Sequence, residues 1–285
     1  MIYTIGICLA SLISEGAGRR EFDEAAMKTR IAAALIALFT LEAAPPSPDE
    51  IFGLGMKALE ARDWDRALSL LETALAAEPN NLRYGSEYRQ AALTRATALH
   101  PKEGAVADFD RPLSFLEKLT KDNPSAENAW LNYGFAYVDK IPAAGSITQV
   151  IMANNALTRF TKSIELKPTW LALYTRGNSY LYWPKIFGRT SLGVADLEKA
   201  LAIQKSEPRT SVHVRVFITL GDGYWKSDNP DKAQAIWKDG LKEFPDSREL
   251  KDRLSRQGDD LAAYINAVLD PNKRVDTNLR ELWGN

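Results

Sequence analysis

Few side chains in this 285-residue sequence are suited to catalysis or metal binding. It has two histidines, His100 and His213, and one cysteine, Cys8. A catalytic nucleophile needs an adjacent base, and a structural zinc site needs four nitrogen or sulfur ligands. These three residues, scattered along the chain, supply neither set. We therefore expect no catalytic residue, no metal site, no cofactor and no enzymatic activity.

Two glycine pairs and one acidic pair also have simple structural explanations. The Gly-x-Gly pairs at 53–55 and 221–223 lie inside predicted helices, and no strand pattern precedes them. A phosphate-binding loop would need such a strand, so these glycines are interpreted as packing residues. Asp259-Asp260 could bind a cation, but acidic residues are common at the start of a helix.

Composition and charge exclude further classes. Apolar residues make up 45% of the chain and charged residues 26%, which is typical of a globular protein rather than a disordered one. Lys and Arg total 36 and Asp and Glu total 37, for a net charge of -1. A chain so nearly neutral is not expected to hold nucleic acid by bulk charge. A single cysteine leaves no disulfide within the chain.

Residues 27–44 have the three parts of a secretory signal peptide. Lys28 and Arg30 precede an apolar run of eleven residues, 31–41, which small residues follow. Eleven helical residues span about 16 Å, too little to cross a bilayer core of about 30 Å. We therefore expect cleavage after Ala43 or Ala44 and a periplasmic or secreted protein. If the segment is not a signal, we expect a cytoplasmic protein, and an uncleaved segment is the only membrane contact expected.

Residues 1–26 do not fit this scheme, because their own apolar stretch has no basic start. We interpret Met27 as the true start and residues 1–26 as an extension. A disordered leader and a first anchor helix are the alternatives. Cys8 is not preceded by the small residues of a lipidation site.

The rest of the chain shows a repeated pattern of paired helices. In the clearest copy, large and small residues recur three or four positions apart in two stretches separated by the helix-breaking run 227–230. Its positions are Phe217, Leu220, Gly221, Tyr224, Ala233, Trp237, Gly240 and Pro245. A second copy near the start has Leu54, Gly55, Ala58, Ala67, Leu71, Ala74 and Pro79.

This pattern resembles the tetratricopeptide repeat (TPR), a 34-residue helical hairpin. The resemblance implies an all-α fold, a right-handed α-solenoid of about five TPR-like hairpins over residues 45–245. Three middle units carry extra residues, and the first helix of the second unit lacks the glycine. Residues 246–285 are expected to form capping helices and a tail, because a terminal hairpin would otherwise expose an apolar face. The tail also has helical spacing. The signal-like start and the resemblance together indicate an exported bacterial protein.

In TPR proteins, the first helix of each hairpin lines a concave groove. The resemblance therefore implies partner-binding groove residues at three positions around each glycine: Phe52, Met56, Leu131, Phe135, Tyr174, Asn178, Leu181, Asp222 and Trp225. This lining is aromatic and apolar, and it lacks the basic residues with which some family members clamp a peptide carboxylate. It suits an amphipathic helix or an apolar peptide. The alternative is internal filling by the helix after residue 258 or by the tail.

Two long loops form a second candidate surface. Loops 140–147 and 182–189 each join the two helices of a hairpin and should emerge along the same edge. Their large residues are Ile141, Trp183, Ile186 and Phe187, with Arg189 beside them. Such residues either fold back on the core or meet a partner.

The sequence favours a non-catalytic scaffold or adaptor that binds a protein or a peptide. A carrier of a small apolar ligand, in a pocket closed by the C-terminal tail, is the alternative. A subunit that assembles through its exposed repeat ends is a third reading.

Overall fold

The structure, a computed structural model, describes residues 45–99, 109–271 and 275–284. The predicted extension (1–26) and signal peptide (27–44) lie outside the described residues. The part that is described contains twelve α-helices and no strand, so the prediction of an all-α fold is confirmed.

Ten of these helices form five consecutive hairpins, and two more follow as a cap. The hairpins are α1 (Pro48–Glu60) with α2 (Trp64–Ala77), α3 (Leu82–Leu99) with α4 (Asp110–Asp122), α5 (Glu127–Lys140) with α6 (Ser146–Leu166), α7 (Trp170–Leu181) with α8 (Thr190–Gln204), and α9 (Val214–Lys226) with α10 (Pro230–Glu243). The cap is α11 (Arg248–Leu254) and α12 (Gly258–Val268). The predicted solenoid of about five TPR-like hairpins with a helical cap is therefore confirmed.

Local signals explain where the most regular helices begin and end. Ser47 caps α1 in a reciprocal hydrogen-bonded box with Glu50, and Pro48 occupies the first turn, where its missing N–H is not needed. The turns inside the first and last hairpins each contain one residue in the left-handed region, Arg62 at φ 60° and Asp228 at φ 59°. A residue in this conformation ends the first helix and lets the chain reverse into the second.

Glycines set the close approach of the paired helices. A Cβ atom on Gly221 would lie 2.0 Å from Nε1 of Trp237, and one on Gly134 would lie 2.4 Å from Cε1 of Phe160. In each pair a large ring on the second helix fills the space left by the glycine on the first. These are the packing positions that the repeat pattern predicts, and their rings are fully buried.

The surplus residues of the middle units form short 3₁₀ turns and one lengthened helix. The turn Ile141–Ala143 precedes α6, which extends over 21 residues, and the turn Lys185–Phe187 lies between α7 and α8. A third turn, Ser211–His213, leads into α9. The hairpin geometry is kept because the additions lie at the ends of helices.

The C-terminal segment departs from the expected helical tail. Residues 275–279 have no regular structure, and only Arg280–Trp283 form a 3₁₀ turn. The apolar spacing of Val275, Leu279 and Leu282 therefore does not reflect an α-helix. It reflects how an irregular segment contacts the helices beneath it.

Candidate functional site

The C-terminal segment lies across the first helices of four hairpins. We call residues 275–284 the tail, and the face of α3, α5, α7 and the start of α9 that the tail contacts the groove. The two meet through hydrogen bonds, ion pairs and a shared apolar cluster. The sequence analysis left two segments that could fill the groove, the helix after residue 258 and the tail. In the structure, the tail lies in the groove.

A buried polar network holds the middle of the tail. The guanidinium of Arg89 on α3 donates to Asn132 Oδ1 at 2.9 Å, to Asp139 Oδ2 at 2.7 Å and to the backbone carbonyl of Thr277 at 3.3 Å. The Thr277 hydroxyl donates to the other oxygen of Asp139 and accepts a bond of 3.2 Å from Gln90. All of these side chains except Gln90 are buried. The network thus satisfies an arginine and an aspartate that would otherwise be costly to bury.

A second charged contact lies two residues earlier on α3. Arg280 of the tail donates to both carboxylate oxygens of Glu87, with Nη2 at 2.6 Å from Oε2 and Nε at 2.9 Å from Oε1. Glu87 is only 1% exposed. The hydrogen bonds to Glu87 raise the pKa of Arg280 above its usual value, so the guanidinium stays protonated.

Apolar side chains of the tail close over the groove floor. Leu279 is buried in the same cluster as Phe135, Trp170 and Leu171. A cavity of about 50 Å³ is left between the tail and these helices. A buried water needs roughly 10–15 Å³ on the same scale, so this cavity has room for a few waters. Burial raises the pKa of Tyr174, which lines the cavity, and keeps its hydroxyl neutral.

The end of the tail is held more loosely. Glu281 pairs with Arg215 at 2.9 Å, and both side chains are partly or well exposed. The Trp283 ring lies 6.0 Å from the guanidinium carbon of Arg83, which is also 5.6 Å from the Phe52 ring. Exposed ion pairs and cation–π contacts of this kind are individually weak.

The predicted groove residues fall into three groups in the structure. Phe135, Tyr174 and Asn178 line the cavity beneath the tail. Met56 and Trp225 are half-buried elsewhere on the first helices. The remaining four are buried in the described residues: Phe52, Leu131, Leu181 and Asp222.

Packing within and between hairpins explains why these four residues are inaccessible. Leu131 and Leu181 belong to the core cluster, and Phe52 stacks on Tyr84 with ring centroids 4.5 Å apart. Asp222 accepts two bonds of 2.6 Å from Arg253 on the capping helix α11. Helical periodicity orients a residue toward one face of its helix, but it does not show whether a later helix covers that face.

A larger cleft of about 610 Å³ lies beside the end of α9, away from the tail. Its lining includes Trp225, Ile265 and two lysines, Lys185 and Lys226. Lys226 donates to the backbone carbonyls of Leu181 and Trp183, the latter at 2.8 Å. Burial, together with the nearby charge of Lys185, lowers the pKa of Lys226. Lys185 itself pairs with Asp228 at 2.8 Å.

The second of the two long loops contacts the helix that follows the first loop. The guanidinium carbon of Arg189 lies 3.7 Å from the centroid of the Trp183 ring. Arg189 also donates a hydrogen bond of 3.0 Å to Oδ1 of Asn154 on α6. Ile186 is 90% exposed and Phe187 is well exposed, whereas Trp183 and Ile141 are half-buried. Trp183 therefore folds back in part, and Ile186 and Phe187 do not.

The most engaged groove residues are absent from the sequence-based set. Glu87 and Arg89 were missed because α3 has no glycine in register with the repeat, so its inner face was not assigned. Asp139 lies on α5, outside the groove positions assigned around Gly134. Because buried positions are usually apolar, the sequence provided no reason to expect these charged residues in the interior. The tail's Thr277 and Arg280 carry no local signal of their role.

No described helix is long and apolar enough to cross a membrane. Among the same residues, no group of three or more His, Cys, Asp or Glu side chains is arranged to hold a metal ion.

No protein-family model matches the chain, and no curated protein matches it. Solved structures match along most of its length. The crystal structure of TTC0263, a thermophilic TPR protein of Thermus thermophilus, is 20% identical over 73% of this chain and 97% of its own, with a TM-score of 0.49. A crystal structure of MamA protein is 16% identical over 74% of this chain and 96% of its own, with a TM-score of 0.43. A further crystal structure of MamA is 18% identical over 67% and 94%, with a TM-score of 0.44. The chain's own helices, turns and glycine contacts form the solenoid of TPR-like hairpins.

Proposed function

We propose that this protein is a non-catalytic interaction scaffold that binds a peptide segment of a protein partner in the groove. One observation carries the proposal: the groove already holds a ten-residue peptide segment, the tail, through contacts from four first helices. The groove therefore has the length, the hydrogen-bonding groups and the apolar floor that a bound peptide requires. A partner would bind by displacing the tail.

The chemistry of the contact supports peptide binding over other uses. Arg89 donates to a backbone carbonyl, which any peptide offers, while Glu87 and Asp139 contact side chains, which differ between peptides. Backbone contacts give affinity and side-chain contacts give specificity in peptide recognition. The cavity beneath the tail measures only about 50 Å³, which argues against an apolar-ligand pocket closed by the tail, because ligand pockets usually measure about 300–1,000 Å³.

The test uses a labelled peptide with the sequence of residues 275–284 and a full chain whose own tail is weakened. In this tail-weakened chain, Thr277→Ala and Arg280→Ala remove two buried contacts. An attached tail competes at an effective concentration in the millimolar range. We therefore expect the peptide to bind the tail-weakened chain at least ~10-fold more tightly than the unsubstituted chain, as measured by fluorescence anisotropy.

A scrambled peptide of the same composition is the control and should not bind. Circular dichroism of the tail-weakened chain verifies that its helices are intact. If the folded, tail-weakened chain does not bind the peptide at a concentration of several hundred micromolar, the groove is not a peptide site.

Export to the bacterial periplasm is a separate proposal, supported only by the signal-like residues 27–44. The chain should be expressed from Met1 with its own leader and its intact mass measured. The mass of a chain that begins at Ala44 or Pro45 would establish cleavage, and the mass of the full-length chain would contradict it.

A further inference from the structure

We infer that the groove selects a peptide in which an apolar residue and an arginine follow a threonine at two and three positions, as Leu279 and Arg280 follow Thr277. This inference rests on the proposed function and adds the chemistry of the partner. The tail is the template, because each of these three residues contacts a separate feature of the groove. A partner would then be recognised by the same three contacts.

The arginine position is read by a buried carboxylate. Both oxygens of Glu87 accept from Arg280, and the Glu87 side chain is 2% exposed. When the tail leaves, this carboxylate loses the arginine that binds both of its oxygens. A ligand that supplies an arginine at this position restores those charge-assisted hydrogen bonds. The two-oxygen geometry suits the planar fork of arginine better than the single ammonium of lysine.

The threonine position contacts a carboxylate that is already paired with an arginine of the groove. Asp139 pairs through one oxygen with Arg89 at 2.7 Å, and its other oxygen accepts from the hydroxyl of Thr277. Because Arg89 balances the charge of Asp139, the group of the peptide that binds Asp139 should be a neutral hydrogen-bond donor. Gln90 donates to the same hydroxyl at 3.2 Å, so the ligand atom must accept as well as donate. A hydroxyl does both, whereas an alkyl side chain does neither.

The apolar position lies over the aromatic floor of the groove. Leu279 is 6% exposed and belongs to the cluster of Phe135 and Trp170. The position before the threonine provides a control. Asp276 is exposed, and its carboxylate accepts from the tail's own backbone at Asn278. Substitution at that position should therefore leave binding almost unchanged.

The test compares four labelled ten-residue peptides on the tail-weakened full chain. One has the natural sequence of residues 275–284, and the others carry Arg280→Ala, Thr277→Val or Asp276→Asn. Charge-assisted hydrogen bonds and buried unpaired groups are each typically worth a factor of about 10 or more in affinity. We expect at least ~10-fold weaker binding for Arg280→Ala and for Thr277→Val, and less than ~3-fold change for Asp276→Asn.

A Glu87→Gln substitution in the same chain identifies the groove partner. It should bring the natural peptide and the Arg280→Ala peptide to within ~3-fold of each other, since the carboxylate that distinguishes them is gone. If the natural peptide binds but Arg280→Ala and Thr277→Val bind equally well, the inferred specificity is overturned and the proposed function stands. If the folded chain binds none of the four peptides, the proposed function itself fails.

A second measurement applies if the tail-weakened chain does not fold. Hydrogen–deuterium exchange of residues 275–284 is followed in the unsubstituted full chain with excess unlabelled peptide. The natural peptide should speed exchange of the chain's own tail by displacing it, and the Arg280→Ala peptide should not. Equal effects of the two peptides would overturn the inferred specificity.

Discussion

The ion pair between Asp222 and Arg253 provides a sharp test of how the solenoid is closed. Asp222 lies on α9, in the last hairpin, and Arg253 lies on α11, in the cap. Two bonds of 2.6 Å join them, and each side chain is 3% exposed. We predict that Asp222→Asn destabilises the protein strongly, because the arginine is left buried without a counter-charge.

The magnitude follows from burial and geometry. Removing one partner of a buried ion pair costs about 3–5 kcal/mol of unfolding free energy. Asparagine keeps one oxygen that can accept from Arg253, so we expect the lower end, about 3 kcal/mol. With a urea dependence of about 2 kcal/mol per molar, the unfolding midpoint should fall by about 1.5 M.

The assay is urea unfolding followed by tryptophan fluorescence, since Trp225 and Trp237 lie close to the cap with ring centroids 6.5 Å apart. The matched control is Asp252→Asn on α11, whose carboxylate pairs with the partly exposed Arg256 at 3.5 Å. An exposed pair of this kind contributes at most about 1 kcal/mol. The double variant Asp222→Leu with Arg253→Met should recover most of the lost stability, because it removes both buried charges.

The same experiment separates a structural role from a partner-binding one. The sequence places Asp222 in the groove, and a groove residue would change peptide affinity with little effect on stability. If Asp222→Asn shifts the midpoint by less than about 0.3 M and abolishes binding of the 275–284 peptide, our account of the cap is refuted.

Three further predictions concern packing, pH and the exposed edge. In urea unfolding, Gly221→Ala should lower the unfolding free energy by about 1–3 kcal/mol, because its Cβ would lie 2.0 Å from Trp237. Gly53→Ala, whose Cβ would meet no atom within 4 Å, should raise the unfolding free energy by about 0.5–1 kcal/mol. Equal effects of the two substitutions would contradict the described packing of Gly221. His213 is buried and its Nδ1 accepts from a backbone N–H, and burial lowers its pKa against the opposing effect of Glu207 and Glu243. The unfolded chain therefore binds a proton at His213 more readily than the folded chain does, and the unfolding free energy should fall as the pH drops below about 6.5. This loss should be less steep in His213→Gln than in the unsubstituted chain. Identical pH profiles of the two chains would refute the prediction. Ile186→Ser should change the unfolding free energy by less than about 0.5 kcal/mol, because that side chain is 90% exposed, and a larger loss would mean that the loop packs on the core.

The hairpins could be predicted from the sequence because their determinants are local. Gly221 and Trp237 are sixteen positions apart, and a helix–turn–helix unit must bring such positions together once both helices form. The left-handed turn residue Asp228 and the proline after it mark the reversal between them. The first and last hairpins thus each carry their own signal within about 34 residues.

The candidate site could be predicted only in part, because its determinants are distant. Glu87 and Arg280 are separated by 193 residues, and Asp139 and Thr277 by 138, so no periodicity links them. Filling of the groove by the tail was one open alternative, but nothing local to Thr277 indicated a buried polar contact. Asp222 shows the converse: the repeat pattern predicts that it lines the groove, but a helix thirty-one positions later covers it.

A double-mutant cycle on the full chain measures directly whether the tail lies in the groove. Glu87→Gln, Arg280→Ala and the double variant are compared by urea unfolding. Two charge-assisted bonds between a buried carboxylate and an arginine predict a coupling free energy of about 1.5–3 kcal/mol. A coupling below about 0.3 kcal/mol, with all three variants folded, would mean that the tail does not occupy the groove in solution.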